Sequence, residues 1–395
     1  MEWNLNSEEC TGCCACADIC PVEAISMRID ALGSRRPQLN SERCVSCGKC
    51  KRICPQISSS IIEGDEKIAY IGICDIGRLY EKSSSGGIFA AVAYPFLERG
   101  GIVYGAAINY QDGLIKCQHT RITTIKELYR IQGSKYVQSK MDGVYKQVKD
   151  DLRGGKMVLF SGTSCQVDAI KKYIGEHDNL YTIDLVCHGV PKDKIFNDYI
   201  DYIESKYKTK IEDVSFRVKN HSSLWSKSSY VLKLTSRRGM GFRYFFIPKD
   251  KSAYFKLFLT RAGYRESCYH CKYASLKKAS DLTLGDFRPS SMEKRRYSLC
   301  DNKTYSSIIV HNTKGKTLLG YGKSMISVIP MELDEMVKHH SNLQRPSSMS
   351  DSGKQMLGIY LQKGIPALQH QIDRGYLKEQ IINIIKGITA RKHRS

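Results

Sequence analysis

The stretch "ECTGCCACADICP", residues 9 to 21, carries cysteines at positions 10, 13, 14, 16 and 20. The run Cys10, Cys13, Cys16, Cys20-Pro21 recurs 34 residues later as Cys44, Cys47, Cys50, Cys54-Pro55. Three thiolates at C-x2-C-x2-C spacing can wrap three corners of a 4Fe-4S cube, while the fourth lies too far along the chain and serves the other cluster. The pattern therefore assigns Cys10, Cys13, Cys16 and Cys54 to one cluster, and Cys44, Cys47, Cys50 and Cys20 to a second. Structural zinc also takes four thiolates and C-x2-C pairs, but it has no need of eight cysteines in interleaved order, each run closed by Cys-Pro. Cys14 fits neither set and reads as a bystander thiol.

Eight thiolates make a wire but not a catalyst, so the chemistry must come from the remaining chain. Cys165, in "LFSGTSCQV", and Cys187, in "DLVCHG", both follow apolar runs that read as strands, and Cys268 and Cys271 form a C-x2-C pair in "ESCYHCKY". Ligands collect at the carboxyl edge of an open α/β sheet, and a helix N-terminus favours thiolate. Together the four could ligate a third cluster. A lone cysteine at a strand end is also commonly a buried small residue, and zinc, a redox dithiol or a structural role compete for the pair. Cys74, Cys117 and Cys300 read as core or surface thiols.

The elements that must position these residues follow from periodicity. "KIAYIGIC" from Lys67, "GIVYGAAI" from Gly101, "KMVLFSG" at 156–162 and "LYTIDLVCHG" at 180–189 predict strands, and "GGIFAAVAYPFLERG" from Gly86 predicts a helix. "VSFRV", "SYVLKL", "FRYFFI" and "DLTLGDF" are closer-spaced strands. The expected fold is an α/β body with a mixed sheet, preceded by a small ferredoxin-like two-cluster domain and followed by a helical tail. Working boundaries are 1–62 for the cluster domain, 63–325 for the body (parts 63–150 and 151–325) and 326–395 for the basic tail, with Ser58–Asp65 as a linker. In that tail Leu377, Ile381, Ile384, Ile385 and Ile388 share one helical face, which packs on the body or touches a membrane surface or partner.

The chain has 395 residues, 42% of them hydrophobic, with 16 cysteines and a net charge of +21. Seven acidic and seven basic residues balance within residues 1–62, leaving the excess charge on the body. No run approaches the roughly 20 apolar residues of a transmembrane helix, and cysteine use of this kind in a long chain points to metal or redox chemistry in the cytoplasm. The charge suits phosphate-bearing cofactors or an acidic partner; an iron-sulfur nucleic-acid binder is a minor alternative, without a recognised motif or an aromatic-basic stripe to support it.

The first 50 or so residues resemble bacterial two-cluster ferredoxins, with "CPVEAI" matching and "CPQISS" departing after Pro55. The segments "SSSGGIFAAVAYPFLERGGIVYGAA", "LYRIQGSKYVQS", "KMVLFSGTSCQVDAI", "LYTIDLVCHGVP", "SCYHCKYA" and "SDLTLGDF" resemble, in order, the signatures of beta subunits of deazaflavin-coenzyme (F-420) hydrogenases and dehydrogenases. That resemblance implies an FAD-bearing, iron-sulfur oxidoreductase subunit, a body cluster on Cys165, Cys187, Cys268 and Cys271, and a redox partner protein or catalytic subunit. Two departures stand out: Gly162-Thr163-Ser164 where the family usually has Gly-Thr-Pro, and Arg288-Pro289 where it commonly has Trp-Gly.

Flavin needs amides or cations for its pyrophosphate and a flat slot for its ring. Ser84, Ser85, Gly86 and Gly87, small residues before a helix, fit the first need, although a simple N-cap and turn would read the same. Lys135 could add a cation, and His188 is the candidate catalytic residue beside Cys187. The expected function is electron transfer between an FAD-linked two-electron carrier and one-electron partners. The rival reading is a redox enzyme acting on a metabolite, such as a sugar or cell-surface polysaccharide precursor, without deazaflavin.

Overall fold

The computed structural model describes residues 8–57, 60–61, 66–219, 230–239 and 241–392; the side chains of 377–395 are outside that description. Most of the Ser58–Asp65 linker and the apolar face from Leu377 to Ile388 therefore lie outside the described residues.

The cysteine repeat is also a backbone repeat. Gly12 and Cys14 have φ of 63° and 68°, and their counterparts Ser46 and Gly48 have 52° and 68°. Short helices Ala15–Asp18 and Lys49–Arg52 begin directly after Cys14 and Gly48. Cys14 thus occupies a left-handed position that the other half gives to glycine, the residue that tolerates it best. Strands β1 (Ile25–Ile29) and β2 (Arg35–Leu39) close the module as an antiparallel hairpin.

The body is built on an eight-stranded sheet of order β13-β3-β12-β11-β7-β6-β4-β5. These strands are β3 (Ile68–Cys74), β4 (Ile102–Gln111), β5 (Leu114–Ile122), β6 (Val158–Ser161), β7 (Leu180–Leu185), β11 (Leu282–Phe287), β12 (Tyr305–Val310) and β13 (Ile326–Met331). Neighbours among β4, β6, β7 and β11 are parallel, and antiparallel strands flank them on both sides. The parallel strands need no polar face because helices cover them: Val158, Leu159 and Phe160 of β6 are all fully buried. The helix expected from Gly86 runs Ile88–Glu98.

Between β7 and β11 the chain makes an excursion. It contains helix Asp193–Tyr207, the antiparallel sheet β10-β9-β8 and helix Ala253–Leu259; the strands are β8 (Asp213–Ser215), β9 (Val231–Arg238) and β10 (Gly241–Pro248). Phe196, Tyr199, Phe216, Tyr254, Phe255 and Tyr264 form its own core. The outgoing and returning chains are stitched together: Lys192 N donates to Gly263 O at 2.9 Å, Arg265 N donates to Val190 O at 3.0 Å, and Pro191 bridges Tyr264. Gly189, at φ 131°, lets the Tyr264 ring approach to where a Cβ would stand 2.2 Å from Cδ2. This stem brings the chain just after Cys187 beside the chain just before Cys268. A C-terminal helix, Asp351–Lys392 with a break at Gly364, packs on the excursion, where Gln369 bonds Ala253 N and Lys251 O, each at 2.9 Å.

The cluster module docks on the body through one shared core, in which Cys14, Ala15 and Ile53 pack with Tyr104, Tyr145, Phe160 and Tyr173. Polar contacts set the register. Tyr145 OH donates to Cys13 O at 2.7 Å, Gln138 Nε2 donates to Thr11 O and Gly12 O at 3.3 Å, and Arg35 makes paired bonds to Asp142 at 2.5 and 2.9 Å. Among the described residues no helix is long and apolar enough to cross a membrane.

Candidate metal centres and flavin site

Cys10, Cys13, Cys16 and Cys54 converge on one cavity, lined also by Cys14, Met27 and Pro37. The Cys16 sulfur is an electrostatic neighbour of the other three. Cys10, Cys16 and Cys54 are buried, and burial pushes the Cys10, Cys13 and Cys16 thiols upward. Cys44, Cys47 and Cys50 form a second neighbouring group, with Cys47 exposed; Cys20 accepts a hydrogen bond from Ala24 N at 3.2 Å. One group is therefore enclosed against the body and the other faces solvent. Cys14 accepts a hydrogen bond from Arg35 Nη1 at 3.3 Å.

The four body cysteines also come together. Cys165 is the second residue of helix Ser164–Ile174, whose start is fixed by reciprocal bonds between Thr163 and Gln166. Cys187 follows β7, and Cys268 and Cys271 sit where the stem returns. The Cys187 sulfur neighbours those of Cys268, Cys165 and Cys271. Val190 N donates to Cys268 Sγ at 3.4 Å, and Thr163 Oγ1 lies 3.1 Å from Cys165 Sγ. Burial pushes the Cys165 thiol up to about 11 and the Cys268 thiol up to about 12, so metal binding here must displace protons.

An all-sulfur donor set of this kind suits an iron-sulfur cluster. Among the described residues no group of three or more His, Cys, Asp or Glu is arranged to hold a metal ion as it stands.

The body thiols adjoin the enclosed set of the cluster module. Cys165 and Cys13 are electrostatic neighbours, and Tyr145 and Tyr273 each lie beside sulfurs of both groups. A buried polar network holds this junction. Ser164 Oγ and Thr283 Oγ1 each donate to Asp184 at 2.5 Å, Lys278 Nζ donates to Ser164 Oγ at 3.1 Å and Tyr273 O at 2.6 Å, and Tyr273 OH donates to Asp168 at 2.6 Å.

The residues expected to meet flavin have partners within the fold. Ser84 Oγ accepts from Ser134 N at 2.7 Å, Ser85 Oγ donates to Tyr305 O at 2.6 Å, and Gly86 N donates to Ser306 Oγ at 2.9 Å. Gly87, at φ 87°, starts helix Ile88–Glu98. Lys135 Nζ donates to Gln132 O and Arg130 O, and burial pulls it down to about 8. Burial lowers His188, opposed by the neighbouring Asn342 side chain, and its carbonyl accepts from Ser347 Oγ at 2.5 Å.

Cations and flat rings gather instead around Lys219, which sequence reading missed. Lys219 Nζ lies 3.1 Å from the Tyr80 ring centroid and donates to Tyr80 O and Ser85 O at 2.7 and 2.5 Å. Burial pulls it down to about 7. Arg217 pairs with Asp286 at 2.5 Å and lies 4.8 Å from the Tyr230 centroid, and Arg288 Nη2 donates to Tyr230 OH at 3.0 Å. Asp286 belongs to the "GDF" at the carboxyl end of β11; the cations carry no signal in sequence beyond being basic residues in loops.

Comparison with known proteins matches residues 155–333 to the family model for the carboxy-terminal part of the beta subunit of coenzyme F420 hydrogenase/dehydrogenase. Residues 155–333 are similar to the C-terminal module of those beta subunits. Residues 9–57 match the 4Fe-4S dicluster domain. The two modules together make the chain an iron-sulfur oxidoreductase related to the F420 beta subunits. A chain of the xenon-derivatized F420-reducing NiFe hydrogenase complex from Methanosarcina barkeri is similar at 15% identity and a TM-score of 0.45, over 70% of this chain and 89% of that one. No curated protein sequence matches.

Proposed function

We propose that this chain passes electrons between an FAD-linked two-electron carrier, of deazaflavin type, and one-electron partners through three 4Fe-4S clusters. The ligands are Cys165, Cys187, Cys268 and Cys271 for the body cluster, Cys10, Cys13, Cys16 and Cys54 for the enclosed one, and Cys44, Cys47, Cys50 and Cys20 for the outer one. The observation that supports this reading is that Cys165 and Cys13 are electrostatic neighbours, with Tyr145 and Tyr273 each near sulfurs of both groups. A flavin supplies the junction, because it can take up a hydride and release single electrons.

Around it the chain's own residues have separable tasks. Lys219, Arg217 and Arg288 offer cations for pyrophosphate, with the rings of Tyr80 and Tyr230 beside them. Ser84 to Gly87 shape the wall next to Lys219 through the Ser85 carbonyl. Tyr145, Tyr173 and Phe160 seal the path between body and module from water. The exposed Cys47 marks where an acceptor or donor protein, such as a companion subunit, would meet the wire. All sixteen cysteines are free, in keeping with a reducing compartment such as the cytoplasm.

The test is anaerobic. Protein reduced with dithionite is mixed with a deazaflavin coenzyme and cluster reoxidation is followed by visible absorbance. Reoxidation on the timescale of mixing supports the reading; clusters that stay reduced with deazaflavin but are reoxidised by a sugar-type substrate would replace it with the metabolite reading.

A further inference from the structure

Arg265 is only 3% exposed, yet its Nη1 and Nη2 have no hydrogen-bond partner among the described residues. A buried, unpaired guanidinium is costly to keep. Its backbone is held firmly, since Arg265 N donates to Val190 O at 3.0 Å and Arg265 O accepts from Cys268 N at 2.9 Å. The side chain reaches from this stem to the cluster module and lies against Gly12. A Cβ on Gly12 would stand 2.1 Å from Nη1 and 2.8 Å from both Cζ and Nη2. Gly12 lies between Cys10 and Cys13, and Arg265 lies three residues before Cys268.

The guanidinium therefore sits between the two thiol sets and belongs to neither. It is an electrostatic neighbour of Cys10 and Cys14 on one side, and of Cys165 and Cys268 on the other. Asp193 is the nearby acid; its carboxyl is pushed up to about 6 by burial, its Oδ1 is unpartnered, and it forms no ion pair with Arg265 among the described residues.

We propose that Arg265 is a positioning residue shared by the enclosed and body clusters, its unspent N–H donors and charge serving the sulfur of both. The proposal rests on the body thiols being cluster ligands. Each electron added to a cluster makes it more negative, so a fixed cation beside both sets would raise both reduction potentials. With clusters bound, Arg265 would keep its own charge and protons whichever of them is reduced, and no bond to it would form or break.

The test is a redox titration of the full-length, cluster-loaded protein, monitored by electron paramagnetic resonance, with iron counted per chain. Arg265→Gln is expected to lower the midpoints of the enclosed and body clusters by at least a tenfold shift in the reduction equilibrium, about 59 mV for one electron. The outer cluster should not move. Arg265→Lys, which keeps the charge on a different head, should lower the same two midpoints by less. Fully loaded R265Q with unmoved midpoints, or with all three moved equally, would overturn the proposal. If R265Q does not load iron, Arg265→Met, which also removes the charge, decides: full iron with unmoved midpoints overturns the proposal, and failure of both to load makes Arg265 an assembly element and overturns it as well. Parent protein holding about eight irons would instead remove the body cluster, an outcome separate from any result at Arg265.

Discussion

Lys278→Met probes the buried charge that anchors the helix bearing Cys165. The Lys278 side chain is 2% exposed and that of Asp184 is 0%, with Nζ 3.9 Å from Oδ2. The pairing is loose because Ser164 Oγ stands between them, accepting from Lys278 and donating to Asp184. Methionine keeps most of the volume but removes the charge and the donors to Ser164 Oγ and the Tyr273 carbonyl. Asp184 then keeps only its bonds from Ser164 and Thr283 inside an apolar core. Breaking a buried pair by removing one partner costs about 3–5 kcal/mol, whereas Lys278→Met combined with Asp184→Asn removes both charges and should recover part of that loss. Anaerobic urea melts of the cluster-loaded protein give the free energies, and a coupling of about 1–3 kcal/mol between the two sites is expected. If Lys278→Met lies within about 0.5 kcal/mol of the parent, as a surface change would, the network does not hold the helix and the reasoning fails.

Three further outcomes follow from the same structure. Tyr145→Phe removes the 2.7 Å bond to Cys13 O and should weaken docking of the module by about 1–3 kcal/mol, seen as faster release of an N-terminal fragment in limited proteolysis with iron content unchanged. Cys14→Gly should retain full iron, because the proposed ligand sets omit Cys14 and glycine relieves a φ of 68°; loss of about four irons would make Cys14 a ligand. His119 and His311 are each pulled from 6.5 down to about 4 by burial. The unfolded chain protonates first as pH falls, so stability is full above about 6.5 and declines towards about 4; His119→Gln should flatten that decline in urea melts between those pH values, and an unchanged slope would count against it.

The cluster module was readable in sequence because a cube's ligand geometry is written as residue spacing, and Cys10 to Cys16 meet Cys54 as the interleaving requires. The strands at "KMVLFSG", "LYTIDLVCHG" and "DLTLGDF" were readable for a similar reason, since buried parallel strands are continuous apolar runs. Cys268 and Cys271 could be tied to Cys165 and Cys187 from strand ends and resemblance, but the device that joins them is the stem pairing Val190–Lys192 with Gly263–Arg265, and backbone ladders between distant segments leave no local pattern. Loop cations were opaque: Lys219, Arg217 and Arg265 look like solvated surface residues until the fold buries them. The Ser84–Gly87 loop shows the converse, because a run of small residues reads the same whether or not some of its donors, here Ser85 Oγ and Gly86 N, are taken by Tyr305 and Ser306. Strand β13 escaped notice because "ISVIPM" sits in a segment dominated by helix and carries a proline, which an edge strand tolerates.

The most direct test of the wire is the iron, labile sulfide and flavin held per chain after anaerobic purification, for the parent and for a variant with Cys268 and Cys271 both changed to Ser. The account predicts about twelve irons and one FAD in the parent, and about eight irons in the variant with the two ferredoxin-type clusters spectroscopically intact. About eight irons in the parent with stoichiometric zinc, or no flavin at all, would contradict it.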